Sequence, residues 1–300
     1  VFTKYIRIQD GIMINNKIID CLNYLSFLKS NRKLLYLEFK QNQELKRLIE
    51  PTAIQTVFQP ILSLHTGGTV GYEILNRPPK TSLFPTTEKF YDFVGKSKDV
   101  MEVEYFLRDI SLERYSEQAR SFTAPTSNLL FINIQPQLLE NPLYRSGKTL
   151  ELLSKHGLSP KQIVLELTEK DAVIDYNSFV KVIKHYRQQG YRIAVDDAGT
   201  GYNSLKTLVY VKPEFIKLDK SLIRDIDKHS GQQQLVELLL DFALQSNTQV
   251  IAEGIENLAE LEYLQKLGVH LGQGYALGKP LPILKEGTIP TSKLRTLYYA

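Results

Sequence analysis

Acidic side chains stand at the ends of apolar runs along this chain, and the pattern is that of a site for a hard cation. The densest case is Arg192–Ser204, RIAVDDAGTGYNS. Ile193-Ala194-Val195 leads into Asp196 and Asp197, and an Ala-Gly-Thr-Gly turn follows. Such a run reads as a buried strand with its chemistry at the C-terminal tip. Adjacent strand residues point to opposite faces, but where the backbone turns at a strand end both carboxylates can reach one cation. Two anions held together repel unless a positive charge lies between them. Asp-Asp before a Gly turn is also ordinary loop and helix-cap chemistry, so this stretch alone leaves both readings open. Gly199-Thr200-Gly201 lacks the full spaced fingerprint of a phosphate loop.

The same placement recurs. Glu73 lies late in TVGYEILNR, Asn133 in NLLFINI, and Glu166 with Glu169 in QIVLELTE. Lys217 and Asp219 end EFIKLDK, Glu253 ends QVIAEG, and Gln273 sits in HLGQGYAL. Oxygen donors without His or Cys point to Mg²⁺ or Mn²⁺ rather than zinc. The histidines show no His-Glu-x-x-His spacing. Glu73, Asn133, Glu166, Asp196, Asp197 and Glu253 offer more donors than one Mg²⁺ takes from protein. Two ions bridged by a carboxylate account for the number, and that is the arrangement for in-line displacement at phosphorus. Lys217 fits beside an attacking water as a positive donor; its plainer role is a salt bridge to Asp219 or to a helix-cap carboxylate. Arg77, four residues after Glu73, can grip a phosphate or form a surface ion pair of little worth.

Groups so far apart in sequence converge only if the strands that carry them share one end. Short apolar runs (TVFQPILSL, TVGYEILNR, NLLFINI, QIVLELTE, YRIAVDD, EFIKLDK, QVIAEG and HLGQGYAL) alternate with segments of mostly helical period. Phe179, Ile183 and Tyr186 form one helical stripe that Gly190 ends. Asn257-Leu-Ala-Glu260 resembles a capping box, with Leu261 and Leu264 inward and Gly268 as terminator. The helix around Leu235–Leu244 is apolar on nearly all sides, so it packs on more than one face or lies at a dimer contact. The section from Thr87 to Tyr115 is helix-rich. Apolar strands each followed by a helix argue a parallel sheet covered on both faces, and about eight units favour closure into a barrel, whose strand C-termini line one mouth.

The 300 residues fit one large domain or one domain with a small appendage. A net charge of +4 permits an anionic ligand but does not argue for duplex DNA or a membrane surface. The single cysteine, Cys21, excludes an internal disulfide and a Cys-rich zinc site and fits a reducing compartment. No apolar run is long enough to span a bilayer, and no signal-peptide pattern is present. The chain starts with Val and is read as an excised piece of a longer protein. Residues 1–43 form an extension of uncertain fold, either the tail of an attached sensor or a small cap; KYIRI and IMINNKII read as a hairpin, CLNYLSFLKS as a helix, and KLLYLEF as a strand or helix start. QNQELKRLIE has helical spacing before Pro51.

Together these blocks resemble the EAL-type phosphodiesterases that hydrolyse cyclic di-GMP. The name-giving Glu-Ala-Leu stands here as Glu73-Ile74-Leu75, followed by Asn76-Arg77. Phe58-Gln59-Pro60-Ile61, Asn133 in FINIQP, Glu166-Leu167-Thr168-Glu169, Asp196 to Gly201, Lys217-Leu218-Asp219, Glu253-Gly254-Ile255-Glu256 and Gln273-Gly274-Tyr275 match in order, across residues 44–285. The resemblance implies an α/β fold, a TIM-like (β/α)8 barrel with one antiparallel strand, spanning 44–300 after the extension. It implies that Glu73, Asn133, Glu166 and Asp196 ligate one Mg²⁺ or Mn²⁺, and that Asp196, Asp197 and Glu253 ligate another. Glu73, Asp197 and Lys217 then carry the catalysis, with Lys217 holding the attacking water. Glu169 tethers the loop after Asp197, while Gln59, Leu75, Arg77, Asp219 and Gln273 face substrate. Two departures stand out: Ile74 in place of Ala, and Ala198 in place of Phe, which removes a packing anchor from the loop. Neither removes a ligand. A homodimer through the helix near that loop, a cytoplasmic location and a possible attached sensor domain are further implications.

Three functions are weighed. The first is metal-dependent hydrolysis of cyclic di-GMP to its linear dinucleotide. The second is a receptor that holds the nucleotide uncut. The third is a barrel that abstracts protons beside a carboxylate, for which the Asp196-Asp197 pair is ill suited.

Overall fold

A computed structural model describes residues 5–7, 13–121, 128–134, 147–168, 176–199 and 204–290. Strands β1 (Tyr5–Arg7) and β2 (Met13–Asn15) pair antiparallel as the hairpin the sequence predicts. Helix α1 (Asn16–Leu48) follows without a break, so KLLYLEF is helical and the helix passes straight through residue 43. The eight apolar runs become β3 (Gln55–Ser63), β4 (Thr69–Arg77), β5 (Leu129–Asn133), β6 (Ile163–Thr168), β7 (Arg192–Ala198), β8 (Phe215–Leu218), β9 (Gln249–Ala252) and β10 (Leu271–Gly272). They close into a barrel in the order β10-β3-β4-β5-β6-β7-β8-β9.

β3 runs antiparallel to both neighbours, β4 and β10, while the remaining ladders are parallel. Its reversal follows from the short Gly67-Gly68 connection, which returns the chain as a hairpin where a crossover helix would be needed for a parallel neighbour. At Gly71 the backbones of β4 and β5 approach so closely that a Cβ would collide with the Leu129 carbonyl.

The strands explain the convergence of polar groups through their two-residue period. Ile61, Leu129, Phe131, Val164, Ala194, Phe215, Ile251 and Leu271 form one buried cluster inside the barrel, where Phe131 and Phe215 meet edge to face with centroids 5.2 Å apart. Two residues further along each parallel strand, on the same inner face, stand Asn133, Glu166, Asp196, Lys217, Glu253 and Gln273. On reversed β3 the step runs backwards, from Ile61 to Gln59. The apolar cluster is a plug, and the polar groups form the layer above it.

The intervening residues, among them Ile74, Leu130, Leu165, Ile193, Ile216 and Val250, face outward into the main core. The helix-rich section resolves into α2 (Thr87–Lys96) and α3 (Val100–Ala119), and α4 (Gly147–Lys155) follows β5. On α5 (Tyr176–Gln188) the expected stripe of Phe179, Ile183 and Tyr186 is buried. Next come α6 (Ser204–Val211), α7 (Lys220–Ile223) and α8 (Ser230–Ser246). α9 (Leu258–Leu267) has the predicted Asn257–Glu260 capping box and ends at Gly268 in left-handed conformation. No helix among the described residues is long and apolar enough to cross a membrane.

Candidate active site

Lys217 sits at the centre of the polar layer. Its ammonium lies 2.7 Å from Glu166 Oε1 and 2.7 Å from Glu253 Oε1, 3.3 Å from Asp196 Oδ1 and 3.4 Å from Glu73 Oε1. The side chain is 1% exposed. The alternative pairing with Asp219 is therefore not what forms: Asp219 caps α7 by accepting from the Ser221 amide at 2.8 Å. Gln273 donates from Nε2 to Glu73 Oε2 at 2.5 Å, and Asn133 donates from Nδ2 to Glu166 at 3.1 Å and Glu73 at 3.5 Å. Gln59 is buried opposite Glu73 in the β3–β4 ladder and donates to the Gly278 carbonyl at 3.2 Å.

The Asp196-Asp197 pair is resolved by a bulge. The β7–β8 register shifts between Val195 and Ala198, and Asp197 takes φ +55°, a conformation that Asp tolerates better than most residues. Bulges of this kind re-aim side chains next to active sites. Here the turn lets Asp196, Asp197 and Glu253 bring carboxylate oxygens within 4.8 Å of one another. Asp196 Oδ1 also accepts from the Asp197 amide at 3.0 Å.

The electrostatics are strained in a definite direction. Burial pushes the Glu166 carboxyl well above its usual range and the Glu253 carboxyl up to about 8, although Lys217 opposes both shifts. At Glu73, burial is outweighed by Lys217 and by hydrogen bonds from Gln273 and Asn133, so its carboxyl is held below its usual value. Burial would lower Lys217, but Asp196, Glu166, Glu253 and Glu73 together hold its proton well above the usual lysine range. One ammonium thus faces four carboxylates, and Asp197 adds a fifth at the rim. Such an excess of buried negative charge calls for protons or for cations.

The donor set fits hard divalent cations. Asp196, Asp197 and Glu253 already face one another at a spacing an ion can draw together. Glu73, Asn133 and Glu166 are instead satisfied by Lys217 and by the Asn133 amide N–H. A cation among them requires Asn133 to turn its oxygen inward.

Of the substrate-side expectations, Gln59 and Gln273 join the buried layer. Arg77 stands exposed at the end of β4, with Leu75 half-buried before it. Glu169 lies outside the described residues. Ala198 is fully buried in the main core at the end of β7. Sequence reasoning took Glu260 only as a capping residue. The structure also has it accept from the amides of Asp225 at 3.0 Å, Glu256 at 2.8 Å and Asn257 at 3.2 Å, which fixes the turn beyond Glu253. Its burial inside a short polar turn is not a property that spacing carries.

Fold and site together define a class: closed β/α barrels with one reversed strand and a carboxylate ring around a buried lysine. This chain belongs to the EAL domain family, whose profile matches residues 42–280. It is 31% identical over 248 residues to the probable cyclic di-GMP phosphodiesterase PdeB of Escherichia coli K12, covering 80% of this chain and 45% of that protein. Klebsiella pneumoniae BlrP1, solved with manganese and cyclic di-GMP, superposes with a TM-score of 0.70 at 26% identity, over 80% of this chain and 59% of that one. A standalone EAL protein of Vibrio cholerae O395 bound to cyclic di-GMP gives a TM-score of 0.66 at 26% identity, over 78% of this chain and 95% of that one. The chain spans only 29% to 45% of the length of curated relatives such as PdeB.

Proposed function

We propose that this chain is a divalent-metal-dependent phosphodiesterase that opens cyclic di-GMP to linear pGpG. The observation that carries this reading is the ring of Glu73, Glu166, Asp196 and Glu253 about Lys217, with Asp197 turned into the same mouth. Asp196, Asp197 and Glu253 would hold one Mg²⁺ or Mn²⁺, and Glu73, Asn133 and Glu166 would share Asp196 with a second. Bound there, two cations would acidify a water and neutralise charge growing on the phosphate oxygens. Lys217 keeps its proton, so it orients the attacking water as a donor and does not serve as a base. The water oxygen adds to one phosphorus as the opposite 3′ oxygen leaves. Gln273 fixes Glu73 through Nε2, and its buried Oε1 accepts no hydrogen bond from a described residue, so it is left to receive a donor from the nucleotide. Gln59, Leu75, Arg77 and Asp219 complete the substrate side.

The catalytic unit is residues 44–300, with 1–43 leading toward an attached sensor domain in a cytoplasmic protein. It pairs as a homodimer; Val209 and Tyr210, half-exposed on α6 beyond the Asp197 loop, support that expectation. Product analysis after incubation with cyclic di-GMP and Mn²⁺, with and without EDTA, is the test. Linear dinucleotide formed only without chelator is expected. Nucleotide bound by folded protein but left intact would replace the enzyme with a receptor.

A further inference from the structure

The part of the molecule that the carboxylate ring leaves unused is α1. Among the described residues, α1 packs on the barrel through its last turns, by Leu45 and Leu48. Ahead of them, Ile18, Leu22, Tyr24, Leu25, Phe27, Leu34, Leu35, Tyr36, Leu37 and Phe39 are between 37% and 67% exposed. Side chains of this size left half in water amount to on the order of 1,000 Å² of mostly apolar surface. The largest patch on an ordinary monomer is about 300–600 Å², whereas each partner of a standard interface contributes about 800 Å². The helix rises about 1.5 Å per residue, so this surface is a rod, and a rod is covered most fully by another helix.

We infer that α1 pairs with α1 of a second copy as a parallel, in-register coiled coil. Ile18, Cys21, Leu25, Leu28, Leu35 and Phe39 fall at alternating three- and four-residue steps, interrupted once where Arg32 takes a seam position. That is the a/d pattern of a two-helix seam, and a single polar residue at an a position fixes register at a cost in stability. Leu22, Tyr24 and Tyr36 flank the seam, while Asn23, Ser26, Ser30, Lys33 and Lys40 lie on the side away from it, together with the apolar Phe27, Leu34 and Leu37. A parallel arrangement leaves both barrels at one end. An antiparallel one would drive each copy's β1–β2 hairpin toward the other's barrel. The pairing rests on α1 alone and does not depend on the proposed chemistry.

Cys21, exposed and the only cysteine, supplies a direct readout. In the parallel register the two thiols meet across the seam; a pairing through the barrels alone does not bring them together. Mild oxidation of the 300-residue chain is expected to give a disulfide-linked dimer on non-reducing gels and a dimer mass in sedimentation before oxidation. Leu25→Glu with Leu35→Glu places carboxylates in the seam and leaves the barrel untouched. This variant is expected to weaken dimerisation on the order of a hundredfold and to abolish the cross-link while keeping the barrel's thermal transition. A monomer overturns the inference. So does a dimer whose Cys21 thiols stay reduced, a larger assembly, or a cross-link that survives in the double variant.

Discussion

Replacing Lys217 with Met leaves the shape of the site nearly intact and removes the one charge that four carboxylates share. At an effective dielectric of about 20, a unit pair near 3 Å gives about 5 kcal/mol of gross attraction. The ammonium makes four contacts between 2.7 and 3.4 Å. Its own desolvation offsets much of that, so the net cost is better taken from buried pairs that lose one partner, about 3–5 kcal/mol. For a domain of this size each kcal/mol moves the midpoint by about 2–4 °C, so a fall on the order of 10 °C is expected in EDTA. Mn²⁺ supplies the missing positive charge and should raise the midpoint of Lys217→Met more than that of the parent. Thermal unfolding with and without EDTA and Mn²⁺ reads both effects, and hydrolysis of cyclic di-GMP should be lost. A variant as stable as the parent in EDTA, or indifferent to Mn²⁺, would refute the claim that the ring is held together by positive charge.

Asp197→Asn should weaken Mn²⁺ binding by about tenfold or more in titration calorimetry, because it removes a carboxylate from the Asp196–Asp197–Glu253 group without touching Lys217. Ile74 points away from the ring into the main core, where it is 4% exposed, so Ile74→Ala should cost about 2–4 kcal/mol in urea unfolding with hydrolysis unchanged. Glu104, paired with Arg108 at 3.2 Å, is pushed by burial up to about 7 from an ordinary 4.5 despite the arginine. A carboxyl with a raised folded pKa binds more protons when folded. Its contribution is therefore full below the unfolded value and is lost as pH rises through the folded one. Stability of the parent relative to Glu104→Gln should fall by on the order of 2–3 kcal/mol between about pH 5 and pH 8, as followed by urea unfolding at each pH.

Much of this site was legible because strands repeat every two residues. Each run that ends in Asn133, Glu166, Asp196 or Lys217 carries an apolar residue two places earlier, and that spacing puts plug and polar group on one face. The helix stops at Gly190 and Gly268 and the Asn257–Glu260 box were equally plain, since capping chemistry is local. The donor types alone pointed to a hard divalent cation.

What the chain could not declare in one dimension depends on contacts between distant strands. Resemblance implied that one strand is reversed but not which; that it is β3 decides that Gln59 faces Glu73. Lys217 offered two partners by sequence; barrel closure surrounds its ammonium with the four-carboxylate ring, while Asp219, just past the end of β8, is taken up in capping α7. The β7 bulge that swings Asp197 toward Glu253 and the burial of Glu260 beneath the following turn are likewise tertiary outcomes. Periodicity assigns a residue to a face of its own strand; which charges then meet across the barrel, and how far burial shifts them, is set by strand order and register.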